Sequence, residues 1–248
     1  MKTPRLLLAI LFAATLAACS RKPVEPRFAG VVLDTLLTQP SYACRVEYRF
    51  TSIANSEKSA ALQTIQQRNL DYFFELEAFE GTAEEAAAES LRQIDRELTL
   101  PEPLRSSVRS MKMEYEISTE SEGFVADTLL CYTISRSSYL GGAHGMYSTE
   151  YHTYSLLDGY ELSAEDLVGE AKMEALLQLI RTKLREQYDA ADDQELAEIG
   201  FFPEYIHVTD NIRVMPQSLI FHYNPYEIGC YANGDIDIEI TREELEAL

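Results

Sequence analysis

The sequence predicts an α+β protein of mainly antiparallel sheets with packed helices, arranged as two closely associated subdomains. Strict two-residue alternation of apolar side chains recurs in short separate stretches. Tyr42, Cys44, Val46, Tyr48 and Phe50 form one of them, and this is the signature of half-buried strands. Stripes at helical spacing mark amphipathic helices, as in Met173, Leu177, Ile180 and Leu184. These segments follow one another as strand, helices, hairpin, strand, helix and strands, an order that suits an α+β fold.

The chain opens with Lys2 and Arg5, continues through an apolar stretch from Leu6 to Ala14, and reaches Leu16-Ala17-Ala18-Cys19. A basic start, a short apolar middle and a small-residue cleavage site describe a secretory signal. The stretch ends before the roughly 20 apolar residues that a membrane span needs, so residues 1–18 are expected to be removed. Leu-Ala-Ala-Cys resembles the lipobox of bacterial lipoproteins, which makes Cys19 the acylated first residue of the mature chain. Two or three acyl chains, at about 0.8 kcal/mol per buried methylene, anchor a protein stably. Ser20 stands where an Asp would mark inner-membrane retention, so an outer-membrane position is expected if the organism is Gram-negative. Residues 19–40 carry Pro23, Pro26 and Pro40 without periodicity and are expected to form a lipidated tether.

Folding is expected to begin near Ser41, with one subdomain over 41–138 and a second over 139–248. The strand Tyr42 to Phe50 turns Arg45, Glu47 and Arg49 to its polar face. Asn55 or Ser56 is placed to cap a helix carrying Leu62, Ile65, Phe73 and Leu76, which Gly81 would end. Thr82 and Glu85 form a capping box for an Ala- and Glu-rich helix to about Leu98, stopped by Pro101 and Pro103. Met111, Met113, Tyr115 and Ile117 alternate, Ser121-Glu122-Gly123 reads as a turn, and Phe124 to Ile134 resumes, which predicts an antiparallel hairpin. A tyrosine-rich strand runs from Met146 to Leu157. Ser163 with Asp166 resembles a second capping box, followed by the longer helix through Leu184 and a short one near Glu195 to Ile199. Ile212 to Val214, Leu219 to Tyr223 and Ile236 to Ile240 read as strands.

Of the 248 residues 46% are hydrophobic, which supports a folded core, and the net charge is −20. Residues 1–18 contain two cations and no acid, so their removal makes the rest more acidic. That sign argues against binding nucleic acid or anionic lipid and suits cationic partners or plain solubility. After lipidation Cys44, Cys131 and Cys230 remain, which permit at most one bridge and no disulfide scaffold.

Gly141-Gly142-Ala143-His144-Gly145 is the most distinctive local sequence. Its glycines permit positive φ or close backbone approach, which suits a structural turn first; the alternative is a turn that offers His144 and backbone amides to a ligand. It is neither a P-loop nor a dinucleotide fingerprint. The segment from Phe221 to Gly234 gathers Tyr223, Pro225, Tyr226 and Tyr231 around a turn; such tyrosines serve as interface anchors or as buried caps of the sheet. Candidate ligand-binding residues are therefore Gly141, Gly142, His144, Gly145, Tyr223, Pro225, Tyr226 and Tyr231. Glu150, His152 and Tyr154 share one strand face, which by default faces solvent, with a polar cluster as the alternative. His207 and His222 are scattered, no histidine has the paired spacing of a zinc site, and neither a metal nor a cofactor is expected. Asp235, Asp237 and Glu239 alternate along a strand and are expected to face water.

The 141–145 turn, the tyrosine-rich strand closing on Asp158-Gly159, Leu162, Asp166-Leu167, Phe221, Pro225-Tyr226-Glu227-Ile228, Tyr231-Ala232 and Gly234 together resemble an RsiV-like envelope domain family. That family includes the outer domain of a lysozyme-sensing anti-sigma factor and an accessory domain of some peptidoglycan deacetylases. Tyr42 to Phe50 and the helix containing Asn69 resemble the smaller domain that precedes it, so the likeness covers about residues 40–245. It implies an envelope-facing module, without the sigma-binding segment or the metal-dependent catalytic domain of those proteins, and maps no catalytic residue. The expected function is a non-enzymatic binding module at the membrane, engaging a cationic protein such as lysozyme or a cell-wall glycan such as peptidoglycan. The alternatives are a cell-wall hydrolase using His144 and a structural envelope lipoprotein.

Overall fold

A computed structural model describes residues 22–99 and 112–248. The expected signal segment, Cys19, Pro101, Pro103 and Met111 lie outside the described residues. The α+β class holds. Strands β1 (Phe28–Thr38), β2 (Tyr42–Ile53), β3 (Met113–Ala126), β4 (Leu129–Tyr139) and β5 (Met146–Ser155) form one sheet in that order. All neighbours pair antiparallel except β2 and β3, which are parallel. Parallel neighbours need a crossover, and helices α1 (Ala60–Phe74) and α2 (Ala83–Leu98) lie in it. They cover one face of the sheet, where Tyr42, Val46 and Phe50 meet Leu62, Ile65, Phe73 and Phe74 in the first core.

A second core gathers around a three-stranded antiparallel sheet of β6 (Ile212–Val214), β7 (Ser218–Tyr223) and β8 (Ile236–Thr241). Helix α3 (Ala164–Val168) begins at the Ser163 and Asp166 capping box, and α4 (Met173–Gln187) buries Leu176, Ile180 and Leu184 against Phe221, Ile238 and Ile240. Helices α5 (Asp193–Glu198) and α6 (Arg242–Ala247) complete it. Among the described residues no helix is long and apolar enough to cross a membrane.

The structure corrects four expectations. The tether over 19–40 is replaced from Phe28 onward by β1, whose Val31, Leu33 and Leu37 pack on the first core while Val32 and Leu36 stand exposed. Apolar residues on both faces hid the alternation. The hairpin turn falls at Asp127-Thr128, and β3 runs straight through Ser121-Glu122-Gly123. Gly123 is an in-strand glycine, because a Cβ there would meet the Phe28 ring at 2.8 Å. Helix α1 is capped by Ser59, not Asn55 or Ser56, and it stops at Glu75, which takes left-handed φ 54, ahead of Gly81. Finally, the division at 138/139 moves: β5 closes the first sheet, and the two cores part between Leu156 and Ala164.

The two cores meet along β5. Its open edge is satisfied by side chains of the second core: Asn224 Oδ1 accepts from Thr149 N at 2.6 Å, and Asn211 Oδ1 accepts from Tyr151 N at 2.8 Å. Asn211 Nδ2 donates back to the Thr149 carbonyl at 2.8 Å. Two asparagines thus stand in for a neighbouring strand and leave no sticky edge there.

Candidate functional site

From β2 to β5 the face of the first sheet opposite the helices is largely polar, and register brings its residues into rows. Arg45 on β2 lies beside Glu116 on β3 and Tyr139 on β4. The next row is Glu47, Ser118, Ser137 and Tyr147, one from each of β2 to β5. Arg45 is held at 2.9 Å by Asp34 and at 2.8 Å by Glu47, so its guanidinium is oriented across the face. A turn of 3₁₀ helix, Tyr231–Asn233, arrives from the second core and forms one wall. The result is an open cleft of about 510 Å³ lined by Arg45, Glu47, Glu116, Tyr139, Tyr147 and Tyr231, with Ser118 and Ser137 also on its lining.

The glycine-rich turn builds the corner where wall and sheet meet. Gly141 and Gly142 take φ of 88° and 99°, and a Cβ on Gly145 would sit 2.8 Å from the Ser138 carbonyl, so both uses of glycine that the sequence suggested occur here. The Gly145 carbonyl accepts from the Tyr231 hydroxyl at 2.8 Å. The exposed His144 ring stacks on Tyr231 with centroids 3.9 Å apart, and Tyr226 and Tyr147 lie 5.6 and 5.9 Å from the same ring. Thus the 141–145 turn, Tyr226 and Tyr231 converge, although nearly ninety residues separate them along the chain. Tyr223 and Pro225 do not join them. Tyr223 is fully buried in the second core and donates its hydroxyl to the His207 carbonyl at 2.6 Å, and Pro225 is buried too.

His144 is poorly equipped as a general base. Its Nδ1 contacts the Gly145 carbonyl at 2.8 Å, and among the described residues neither a carboxylate nor a nucleophile lies in hydrogen-bond reach of the ring. Sequence reading overlooked the cleft's Arg45, Glu47, Glu116, Tyr139 and Tyr147 as site residues. The alternation of β2 had placed the first two on a polar face, but the strand pairing that assembles the rows is long-range.

A second cluster lies on the helix side of β5, where a solvated face was expected. Here Glu150, His152 and Tyr154 meet Arg68 and Tyr72 of α1, Arg136 of β4 and Glu161 from the segment entering the second core. His152 Nδ1 is 2.7 Å from Glu161, its Nε2 is 3.5 Å from Glu150, and the Tyr72 ring stacks on it at 4.2 Å. Arg136 donates to Glu150 at 2.6 Å, and Tyr72 donates to Glu161 at 2.9 Å. Burial alone would lower the His152 pKa, but the two carboxylates outweigh it and raise it. Burial likewise opposes charge on Glu150 and Glu161, yet His152 with Arg136 on one side, and with Tyr72 and Arg68 on the other, holds both below the usual carboxylate range. In the second core His222 pairs with Asp237 at 2.6 Å, so Asp237 does more than face water. Cys44 and Cys131 are buried, Cys230 is half-buried, and all three thiols are free. Among the described residues no group of three or more His, Cys, Asp or Glu is arranged to hold a metal ion.

Residues 165–243 match the family described as a protein of unknown function, DUF3298. The crystal structure of a DUF3298 family member from Bacteroides fragilis superposes with a TM-score of 0.77 at 21% identity, covering 92% of this chain and 94% of that one. A DUF3298 family protein from Pseudomonas aeruginosa superposes with a TM-score of 0.56 at 15% identity, covering 90% and 94%. At such identities the likeness is one of fold. No curated protein matches the chain.

Proposed function

We propose that this chain, with a DUF3298 domain at residues 165–243, is a non-enzymatic oligosaccharide-binding module of the bacterial envelope, held at the membrane through Cys19. The cleft carries the proposal. Tyr139, Tyr147 and Tyr231 present aromatic surface for the apolar faces of sugar rings, while Glu47, Ser118, Ser137 and Arg45 supply acceptors and donors for hydroxyl groups. Its volume of about 510 Å³ falls in the range of sites for small ligands. The envelope setting draws support from the lipobox-like Leu16-Ala17-Ala18-Cys19 and from the RsiV-like residues at 141–145 and 225–234, and it makes a cell-wall glycan the ligand class.

Calorimetric titration of the full chain with peptidoglycan oligosaccharides tests this reading. Binding is expected, and Tyr231→Ala should weaken it at least about tenfold, since a central aromatic anchor contributes about 2 kcal/mol. Absence of heat with every cell-wall oligosaccharide at millimolar concentration overturns it. A second reading, capture of a cationic protein such as lysozyme, is favoured by the net charge of −20 and by Glu114, Glu116 and Glu120 along the outer face of β3. Its mark would be lysozyme binding that fades steeply as salt is raised.

A further inference from the structure

The start of the described chain is clamped to the fold. Val24 packs against the first core and Pro26 is buried. The buried Asn55 donates to the Glu25 carbonyl at 3.0 Å and accepts from Arg27 N at 2.6 Å, and Ala54 N donates to the Arg27 carbonyl at 2.7 Å. Ordered chain therefore reaches back to Lys22, three residues from Cys19. Three residues span at most about 11 Å, so an acyl group on Cys19 leaves the domain almost no free tether.

The surface around Lys22 suits what would lie that close. Lys22 and Lys58 share a recess of about 380 Å³ with Leu156 and Leu157. Leu157 is 62% exposed and Tyr160, on the same turn, 52% exposed. Exposed Leu157 beside two lysines, with exposed Tyr160 on the same turn, is the composition of a membrane–water interface, with apolar groups entering the acyl boundary and ammonium groups meeting lipid phosphates. Glu57, Asp158 and Asp166, the last beside the Tyr160 side chain, also stand here, so Leu157, Tyr160 and the anchor carry the contact, while the lysines offset part of the local acid in a chain of strongly negative charge. A tether of three residues holds this patch at an effective concentration on the order of millimolar or above, at which even a weak patch stays engaged.

We infer that the end of the first sheet bearing Lys22, Lys58, Leu157 and Tyr160 docks on the lipid surface. This rests on the reading of Cys19 as the anchor. Strand β5 leads from this end, at Ser155, to Met146 at the cleft. Its ten residues, at about 3.3 Å each, span on the order of 30 Å. Docking in this orientation turns the 141–145 corner and Tyr231 away from the bilayer, toward the space where a cell-wall ligand lies.

The chain contains no tryptophan, so Leu157→Trp supplies a single indole reporter. The acylated full-length protein would be reconstituted into vesicles of phosphatidylethanolamine and phosphatidylglycerol. Emission from Leu157→Trp, and from Tyr160→Trp as a second reporter, should shift to the blue and be quenched by brominated lipid. Leu140→Trp, at the opposite end of the sheet where Leu140 is 50% exposed, should keep water-exposed emission and escape quenching. Mass spectrometry of the N-terminal peptide reads acylation of Cys19 separately. An acylated, vesicle-bound chain whose Leu157→Trp and Tyr160→Trp reporters stay unquenched overturns the docking face and leaves the anchor standing. A chain without acyl groups overturns both.

Discussion

His152 sits where α1, β4, β5 and the entry to the second core meet, and its ionisation ties them together. With Glu161 at 2.7 Å and Glu150 at 3.5 Å, the imidazolium is held between two carboxylates, against the stacked Tyr72 and near Arg136 and Arg68. Because its folded pKa is raised, the folded state binds the proton more tightly than the unfolded state does. The contribution is therefore complete below the ordinary histidine value of about 6.5 and is lost as pH rises through the raised one. Glu150 and Glu161 act in the opposite sense: their lowered pKa values give stability above about pH 4.3 that disappears as pH falls through the folded values. His222 beside Asp237 is also raised, so the wild-type profile alone does not isolate His152. The difference in thermal midpoint between wild type and His152→Gln does. It should be largest between about pH 4.5 and 6.5 and shrink at higher pH; calorimetric scans showing a flat difference would remove the proposed role.

At the scale of the element, left-handed residues show where helices and strands are made to stop. Glu75 closes α1 at φ 54, a conformation that costs a residue with a Cβ about 1 kcal/mol. Its carboxylate is 78% exposed and 4.0 Å from Arg136, a pairing worth little in water. Glu75→Gly is therefore expected to stabilise by about 1 kcal/mol and raise the midpoint by about 2–4 °C, measurable by circular dichroism. Gly123 illustrates the reverse: with the Phe28 ring 2.8 Å from where a Cβ would sit, Gly123→Val should displace that ring and loosen the start of β1. Faster amide exchange near Phe28 would report it, and unchanged protection there would count against the packing account. The capping box of α2, with Glu85 N 3.3 Å from Thr82 Oγ1 and Thr82 N 2.9 Å from Glu85, is a local device, and it appears where the sequence placed it.

For the whole molecule the joint along β5 decides whether there is one cooperative unit or two. Asn211 and Asn224 satisfy the edge of β5 at Thr149 and Tyr151, and their removal leaves backbone groups of a part-buried edge without partners, at about 1–3 kcal/mol each. The double variant Asn211→Ala with Asn224→Ala should separate urea unfolding into two transitions, or else broaden it with a lower m-value. A single sharp transition at the wild-type midpoint would show that the asparagines do not couple the cores. The same joint sets Tyr231 against the sheet, so this variant should also weaken any ligand held in the cleft.

The features legible in the amino-acid order are local in origin. The α+β class, the capping boxes at Thr82 and Ser163, the alternation of β2 and β8 and the strain-tolerant glycines at 141 and 142 follow from neighbours a few residues apart, where side-chain period and backbone sterics act directly. The tertiary structure decided what depends on distant pairing. It placed β1 on the sheet through Val31, Leu33 and Leu37, moved the turn to Asp127, and buried Tyr223 while leaving Tyr231 at the cleft. It also gathered Arg45, Glu116 and Tyr139 into one row from three strands and turned the strand face of Glu150 and His152 inward under α1. These outcomes rest on register and on which face meets another element, and a period of two specifies that there are two faces without saying which one is covered.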